Sequence, residues 1–378
     1  MRIVVAPNAF KGSLDAIGVA EALAAPLEGR ADVVILPMSD GGDGFLAALR
    51  RYRPDVLAVS ARVPDPAGRA TSALWGWHPE EGIAYLESAA AIGIHLVDRG
   101  ARDPLRATSA GLGRLIRTAA GLSPAEIVIG LGGSATVDGG LGMARELGFR
   151  FEDGAGDPVL GPIDLPRLAR IVPPVAPPLG VGIRLLALAD VTSPLHGPDG
   201  AARAFAPQKG AGPEAVELLA AGLQRMDEAW RADLGAPPDL ARRPGAGAAG
   251  GLGAALPAFL GADLGSGSEW CAGVAGLGES LGGAVGVVTA EGRFDRQSLS
   301  GKATGHVLAL ARAAGVRAAV VCAVRGPGVD AAGVTVVDAS VIGLEPRRRL
   351  TRADLGRMME VIIARWETER PPDILASR

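Results

Sequence analysis

Residues 127–142 read IVIGLGGSATVDGGLG, a short apolar run that passes straight into a turn of glycines, hydroxyls and one carboxylate. An apolar run this short and rich in β-branched residues suits a strand buried on both faces, because a helix needs about ten residues or more. The same succession recurs along the chain. Strands are expected at 3–6, 33–36, 127–130, 185–189, 285–290, 318–324 and 334–337. Helices are expected at 14–25, 108–120, 214–233, 303–314 and 352–366, with Ser13 and Thr351 as N-caps of the first and last. Short strands alternating with amphipathic helices make an α/β protein built on a parallel sheet. Between 56 and 87 the pattern changes. DVLAVSARV, RATSALWGW and GIAYLES follow one another without a helix, which predicts an antiparallel or mixed sheet in a separate domain, with Trp75 and Trp77 on one strand face in its core. Proline-rich 172–178 and 236–244 are expected as loops or hinges.

At 378 residues the chain is too long for one core and should divide into two or three domains. A net charge of -3 and the lack of a long basic run argue against nucleic acid as a partner and for a small substrate. The opening MRIVVAP is too short for a signal peptide and suits a buried strand, so a cytoplasmic protein is expected. Residues 244–262 carry no charge but are mostly glycine and alanine with two prolines, a poor membrane span. Cys271 and Cys322 lack CxxC spacing and read as core thiols of a reducing compartment.

Lysine usage singles out the polar segments. Of 38 basic residues only three are lysines, Lys11, Lys209 and Lys302, each beside a glycine, and the rest are arginine. A compact ammonium on a slim stem enters a phosphate site that a planar guanidinium cannot. The sole asparagine, Asn8, lies three residues before Lys11. Polar motifs also gather after the expected strands, where ligands of open α/β sheets bind. Asn8 and Lys11 follow the first strand, Asp40 and Asp43 the second, Gly132, Gly133, Ser134 and Thr136 the third, and Asp190 the fourth. Glu291, Asp295, Ser298 and Lys302 lie in EGRFDRQSLSGKA, expected as a loop running from a strand into a helix. Acids with a lysine at a helix start suit metal-bridged phosphoryl transfer. The four histidines are scattered, without metal-ligand spacing or a triad signal.

A rival reading exists. Gly130 to Ala135 fit the dinucleotide pattern G-x-G-x-x-A, about twenty residues before Glu152 and Asp153, so a nicotinamide-dependent dehydrogenase of a small hydroxy acid stands beside a kinase and a non-catalytic ligand-binding protein. Against it, Asp138 and two glycines interrupt the first helical turns and would place a negative charge near the pyrophosphate. A second G-x-G-x-x-G, at 245–250, follows no expected strand, although it could form another anion loop. The P-loop pattern is absent, since Arg296 stands where its first glycine belongs.

Taken together, APNAFKGSLDA from Ala6, SDGGDGF from Ser39, GLGGSATVDGGLGM from Gly130, LADVTSPLHGPDGAARAFAPQKGA from Leu188, GAGAAGGLGAAL from Gly245 and EGRFDRQSLSGKATGHV from Glu291 resemble the class I glycerate kinase family, the bacterial type that phosphorylates D-glycerate. The chain departs from the usual family pattern at Asn8-Ala9, Asp43, Phe45 and just after Lys302. The resemblance implies two α/β domains. One is a flavodoxin-like or Rossmann-like parallel-sheet domain formed by both chain ends, 1–60 with 285–378, and the other is an inserted mixed-sheet domain, 61–284. It implies ATP and Mg²⁺ as cofactors, D-glycerate as the small-molecule partner, a monomer or homodimer, and an active site in the interdomain cleft. On this basis Lys11, Asp190, Asp295 and Lys302 are expected to be catalytic, with Gly132, Gly133, Ser134, Thr136, Lys209 and Gly301 on the nucleotide phosphates. Asn8, Ser13, Arg293 and Ser298 would bind substrate, and Asp43 and Glu291 the metal.

Overall fold

A computed structural model describes residues 1–368 apart from 11, 300–301, 330 and 346–348. Its strands are β1 Arg2–Val5, β2 Asp32–Ile35, β3 Leu57–Pro64, β4 Ala70–His78, β5 Ile83–Glu87, β6 Glu126–Gly130, β7 Arg150–Asp153, β8 Leu168–Val172, β9 Arg184–Leu188, β10 Asp263–Gly265, β11 Gly286–Phe294, β12 Arg317–Arg325 and β13 Val334–Asp338. They belong to two compact units. One comprises Met1–Ser39, Ala47–Tyr52 and the chain from Ser268 on, and the other comprises Asp40–Leu46 and Arg53–Gly267.

The first unit holds a five-stranded, all-parallel sheet in the order β13-β12-β11-β1-β2. Numbered within the unit this is 2-1-3-4-5, the flavodoxin order, which reverses direction between β1 and β11. One face, with Ile3, Val5, Val288, Ala290, Ala319 and Val321, is buried in a common core with the helices Ala16–Ala24 and Arg352–Thr368. Val287 and Val320 on the opposite face are equally buried, and the helix Ala303–Ala313 contacts β11 and β12. Burial on both faces is why these strands read as unbroken apolar runs.

Thr351 caps the last helix as expected. Its Oγ1 accepts from Asp354 N at 3.2 Å, and Asp354 Oδ2 accepts from Thr351 N at 3.0 Å, a reciprocal pair. Ser13 does not cap the first. The cap is Asp15, whose carboxylate accepts from Gly18 N, while Ser13 Oγ donates to Leu350 O at 2.8 Å. A carboxylate two residues further on competes better for the N-terminal amides than a hydroxyl with another partner. β11 also runs four residues beyond the expected end, so Glu291 and Arg293 sit on a strand paired to Cys322 and Val324 and not in a loop.

The second unit carries a six-stranded mixed sheet, β10-β9-β6-β5-β4-β3. β3, β4 and β5 pair antiparallel, and β5, β6, β9 and β10 pair parallel. The three helix-free strands are therefore where the sequence placed them. Trp75 is fully buried, and Trp77 packs beside it with ring centroids 6.4 Å apart. Unforeseen are the β7–β8 hairpin and the helix Ala248–Leu260. That helix is buried on most sides, and Ala249, Gly250 and Gly251 enter it with left-handed φ values of 50°, 73° and 99°, so it shows neither polar face nor capping residue. Among the described residues no helix is long and apolar enough to cross a membrane, and Cys271 and Cys322 are buried and outside any disulfide.

The first unit's core leaves little room. A Cβ added at Gly286 would lie 2.4 Å from the ring of Trp366, which is itself buried. Gly286→Ala should lower unfolding stability in urea by about 1–3 kcal/mol, the cost of overpacking. Unchanged stability would show that Trp366 yields without strain.

Candidate functional site

In the second unit the parallel strands end in one row. Glu87 pairs with Gly130, Gly130 with Leu188, and Leu188 with Gly265. Every segment leaving the sheet at this edge is polar or glycine-rich: Glu87-Ser88, the turn after Gly130, Asp190 and Ser266.

The 40–46 segment lies directly on that row. A Cβ on Gly130 would meet Gly41 O at 2.3 Å, one on Gly132 would meet Gly42 Cα at 2.5 Å, and one on Gly41 would meet Leu188 O at 3.0 Å. Backbone touches backbone here, which only glycine allows. Gly41 also needs its φ of 82°. Asp40 Oδ1 accepts from Gly42 N at 3.0 Å and sets the turn. The Glu87 carboxylate accepts from Gly44 N at 3.0 Å and Leu46 N at 3.1 Å, tying Asp43 and its neighbours to β5. Burial pushes Glu87 up to about 7, the two amides oppose that, and the nearby Asp43 carboxylate adds to it.

The 130–142 turn is pinned from several sides. Leu131 N donates to Leu188 O, Ile94 N to Gly133 O, and Ala135 N to Ile92 O. Ser88 Oγ bridges the N–H and C=O of Gly132 at 3.3 Å each. Gly132 is half-buried, Gly133 is exposed with φ 61°, and Ser134 and Thr136 are buried. Thr136 Oγ1 has no hydrogen-bond partner among the described residues. Asp138 faces the interior of the turn. It is wholly buried and accepts from Ser109 N, Ser109 Oγ, Gly140 N and Gly142 N at 2.8–3.1 Å, so it folds the turn from within. Burial raises its pKa and the Ser109 and glycine donors hold it down.

Lys209 reaches this turn from 75 residues away. Its Nζ donates to Ser134 Oγ at 3.0 Å and to Thr136 O at 2.7 Å. Burial lowers the ammonium to about 7, with Asp138 pulling the other way. Asp190 follows β9, and Ser266 Oγ donates to its Oδ1 at 2.9 Å. Lys209, Ser134 and Thr136 are thus one cluster.

The first unit gathers a separate set. Asn8 N donates to Ala290 O at 2.9 Å, which places Asn8 where the strand order reverses, and its Oδ1 accepts from Ala9 N. Arg293, Asp295 and Ser298 bond to one another. Arg293 Nε donates to Asp295 Oδ2 at 3.0 Å, Asp295 N to Ser298 Oγ, and the buried Ser298 hydroxyl to Arg293 O. Glu291 Oε1 is buried without a hydrogen-bond partner among the described residues, as are Thr289 Oγ1 and Thr304 Oγ1. Burial raises Glu291, Asp295 adds to that, and Ser298, Thr304 and Lys302 oppose it. Lys302 precedes the helix Ala303–Ala313 as its N-cap residue. Lys11 and Gly301 lie outside the described residues.

Two expectations fail on this geometry. Glu152 and Asp153 belong to the antiparallel β7–β8 hairpin and not to a neighbouring parallel strand, so the dinucleotide fingerprint lacks its ribose-binding acid. The second glycine pattern, 245–250, is not an anion loop. Gly250 packs with its Cβ position 2.0 Å from Thr136 O, Gly245 to Ala248 are buried, and Gly250 O accepts from Gly139 N. These glycines let one loop buttress another. Glu87, Ser88, Ser109 and Ser266 were missed. Glu87-Ser88 closes GIAYLES, and the criterion of polar residues at a strand end, applied to that strand, would have found it.

A model of the glycerate kinase family matches residues 3–354. A glycerate 2-kinase of Escherichia coli (strain K12) is 39% identical over 318 residues, 80% of each chain. A glycerate kinase of Halalkalibacterium halodurans is 36% identical over 349 residues, 91% of each. A crystal structure from Salmonella typhimurium LT2, provisionally named glycerate kinase 2, superposes with a TM-score of 0.75 at 35% identity, over 97% of this chain and 98% of that one.

Lys209 offers a direct check on the site's electrostatics. A folded-state pKa near 7, below the ordinary lysine value, means the folded chain binds fewer protons than the unfolded one above pH 7, so this group makes stability rise with pH from about 7 towards about 10. With only three lysines in the chain, ¹³Cε-lysine NMR should show one resonance, absent in Lys209→Met, titrating near pH 7. A Lys209 midpoint at the ordinary value would mean the ammonium is hydrated and not held by Ser134 and Thr136.

Proposed function

The chain belongs to the glycerate kinase family, and from that premise we propose that it transfers the γ-phosphoryl group of magnesium-ATP to the 2-hydroxyl of D-glycerate, giving 2-phosphoglycerate and ADP. The observation that carries the proposal is the joined pair of glycine loops at the row of strand ends, with Lys209 bound to Ser134 beneath one of them. Glycine amides and a preorganised hydroxyl offer donors to phosphoryl oxygens without reorganisation when charge develops. The 2-position rests on the family resemblance and on the name of the Escherichia coli relative.

In this proposal the 2-hydroxyl oxygen attacks the γ-phosphorus, the bond from phosphorus to the β–γ bridging oxygen breaks, and ADP leaves. Asp190, whose Oδ1 is held by Ser266, receives the hydroxyl proton. Lys302 and Lys11 neutralise phosphate or carboxylate charge, and Gly132, Gly133 and Ser134 supply donors.

Among the described residues no group of three or more His, Cys, Asp or Glu side chains could hold a metal ion. Magnesium arriving with the nucleotide needs one or two carboxylates besides phosphates and water. Asp43 and Glu291 are the proposed carboxylates, and the Oε1 of Glu291, without a hydrogen-bond partner among the described residues, is available for such a contact. When bound, the ion screens charge on the transferring phosphoryl group.

A coupled assay of ADP release with D-glycerate, L-glycerate and no acceptor tests the proposal. Release should require D-glycerate and magnesium, and acceptor-independent release would contradict it. Lys302→Ala should lower turnover by about 10²-fold or more with the fold intact. Asp190→Asn should lower kcat with little change in KM, whereas a change confined to KM would make it a binding residue.

A further inference from the structure

Two of the three N–H bonds of the Lys209 ammonium end on protein oxygens, Ser134 Oγ and Thr136 O, and the residue as a whole is only 4% exposed. An ammonium has donors and no acceptor, so Ser134 Oγ is the acceptor in their contact. The Ser134 proton therefore points away from Lys209, and no acceptor for it is found among the described residues. A buried hydroxyl proton left without an acceptor is unfavourable unless something else meets it.

The hydroxyl cannot escape this by a shift of its own backbone. Ile94 N holds Gly133 O at 2.7 Å, and Ala135 N is held by Ile92 O at 2.8 Å, so both flanking residues are fixed. The residue before Ser134 is Gly133, exposed and without a side chain, so the turn meets solvent immediately beside the residue that carries that hydroxyl. A buried, oriented donor beside an open glycine backbone is a contact for an anionic oxygen. Lys209, in turn, is enclosed by the turn it supports.

We propose that Lys209 is a positioning residue that holds the Ser134 hydroxyl as a donor to an anionic oxygen of the bound substrate and makes no substrate contact itself. The proposal rests on the kinase reading above and reassigns Lys209 from phosphate ligand to support. The oxygen belongs either to the phosphate chain of ATP or to the carboxylate of glycerate, and kinetics separate the two.

The test is a double-mutant cycle of Ser134→Ala, Lys209→Met and the pair, run at about pH 6, where lysine is charged, with each substrate varied in turn. Each single variant should lose about tenfold to a hundredfold in kcat/KM. The change should fall on the same substrate in both, and the pair should lie within about threefold of Lys209→Met, because one hydroxyl carries both effects. A raised KM for ATP, or a loss in kcat alone, assigns the oxygen to phosphate, and a raised KM for glycerate assigns it to carboxylate. Effects that multiply in the pair, or that fall on different substrates, overturn the proposal, since Lys209 would then act through its own charge.

The rise in Tm caused by magnesium-ATP or by D-glycerate gives the same cycle without turnover. Wild-type protein lacking glycerate-dependent ADP release would sink the kinase reading, while multiplied losses in an active wild type would sink only the role of Lys209. Should Lys209→Met not fold, Lys209→Gln, which keeps N–H donors without the charge, takes its place under the same criteria.

Discussion

Contact of backbone with backbone at the ends of β6 and β9 is the constraint from which the second unit's site follows. A side chain on Gly130 would strike Gly41 O and one on Gly132 would strike Gly42 Cα, so either would part the two segments. That contact sets where Asp43 sits relative to the 130–142 turn, and Glu87 holds the incoming segment through two amides. Behind the turn a further glycine contact, Gly250 against Thr136 O, does the same work from the opposite side. Glycine here is chosen for the absence of a side chain more than for flexibility.

Buried charge then organises what the glycines leave room for. Asp138 collects four donors and closes the turn, and Lys209 bonds to Ser134 and Thr136 from its other side. Burying two opposite charges is costly unless each is hydrogen-bonded, and both are. The expected phosphate loop is therefore an internally braced structure, with its polar residues divided between those that hold the turn and those left with an unpaired donor. Asp138 and Lys209 belong to the first kind, and Ser134 to the second.

Much of the architecture was readable because it rests on period and polarity. Strands buried on both faces announce themselves as apolar runs, and β3 to β5 announce themselves by lacking helices between them. What escaped depends on long-range contacts. Asp15 and not Ser13 caps the first helix because Ser13 is engaged by Leu350, far along the chain. The helix Ala248–Leu260 escaped because its glycines answer to Thr136 and its buried surface leaves no amphipathic stripe. Candidate site residues were legible as types at strand ends, but a sequence cannot say that the Ser298 hydroxyl closes its own turn or that Asp138 points inward. Direction of a side chain is set by packing, which pattern does not record.

The most direct measurement is on Gly132→Ala, whose new Cβ would fall 2.5 Å from Gly42 Cα and force the two loops apart. Glycerate-dependent ADP release and Tm are measured on the same preparation. The account expects turnover to fall by about 10²-fold or more while the chain stays folded, since the loops supply donors only in their joined arrangement. Turnover close to wild type in a folded Gly132→Ala protein would contradict it.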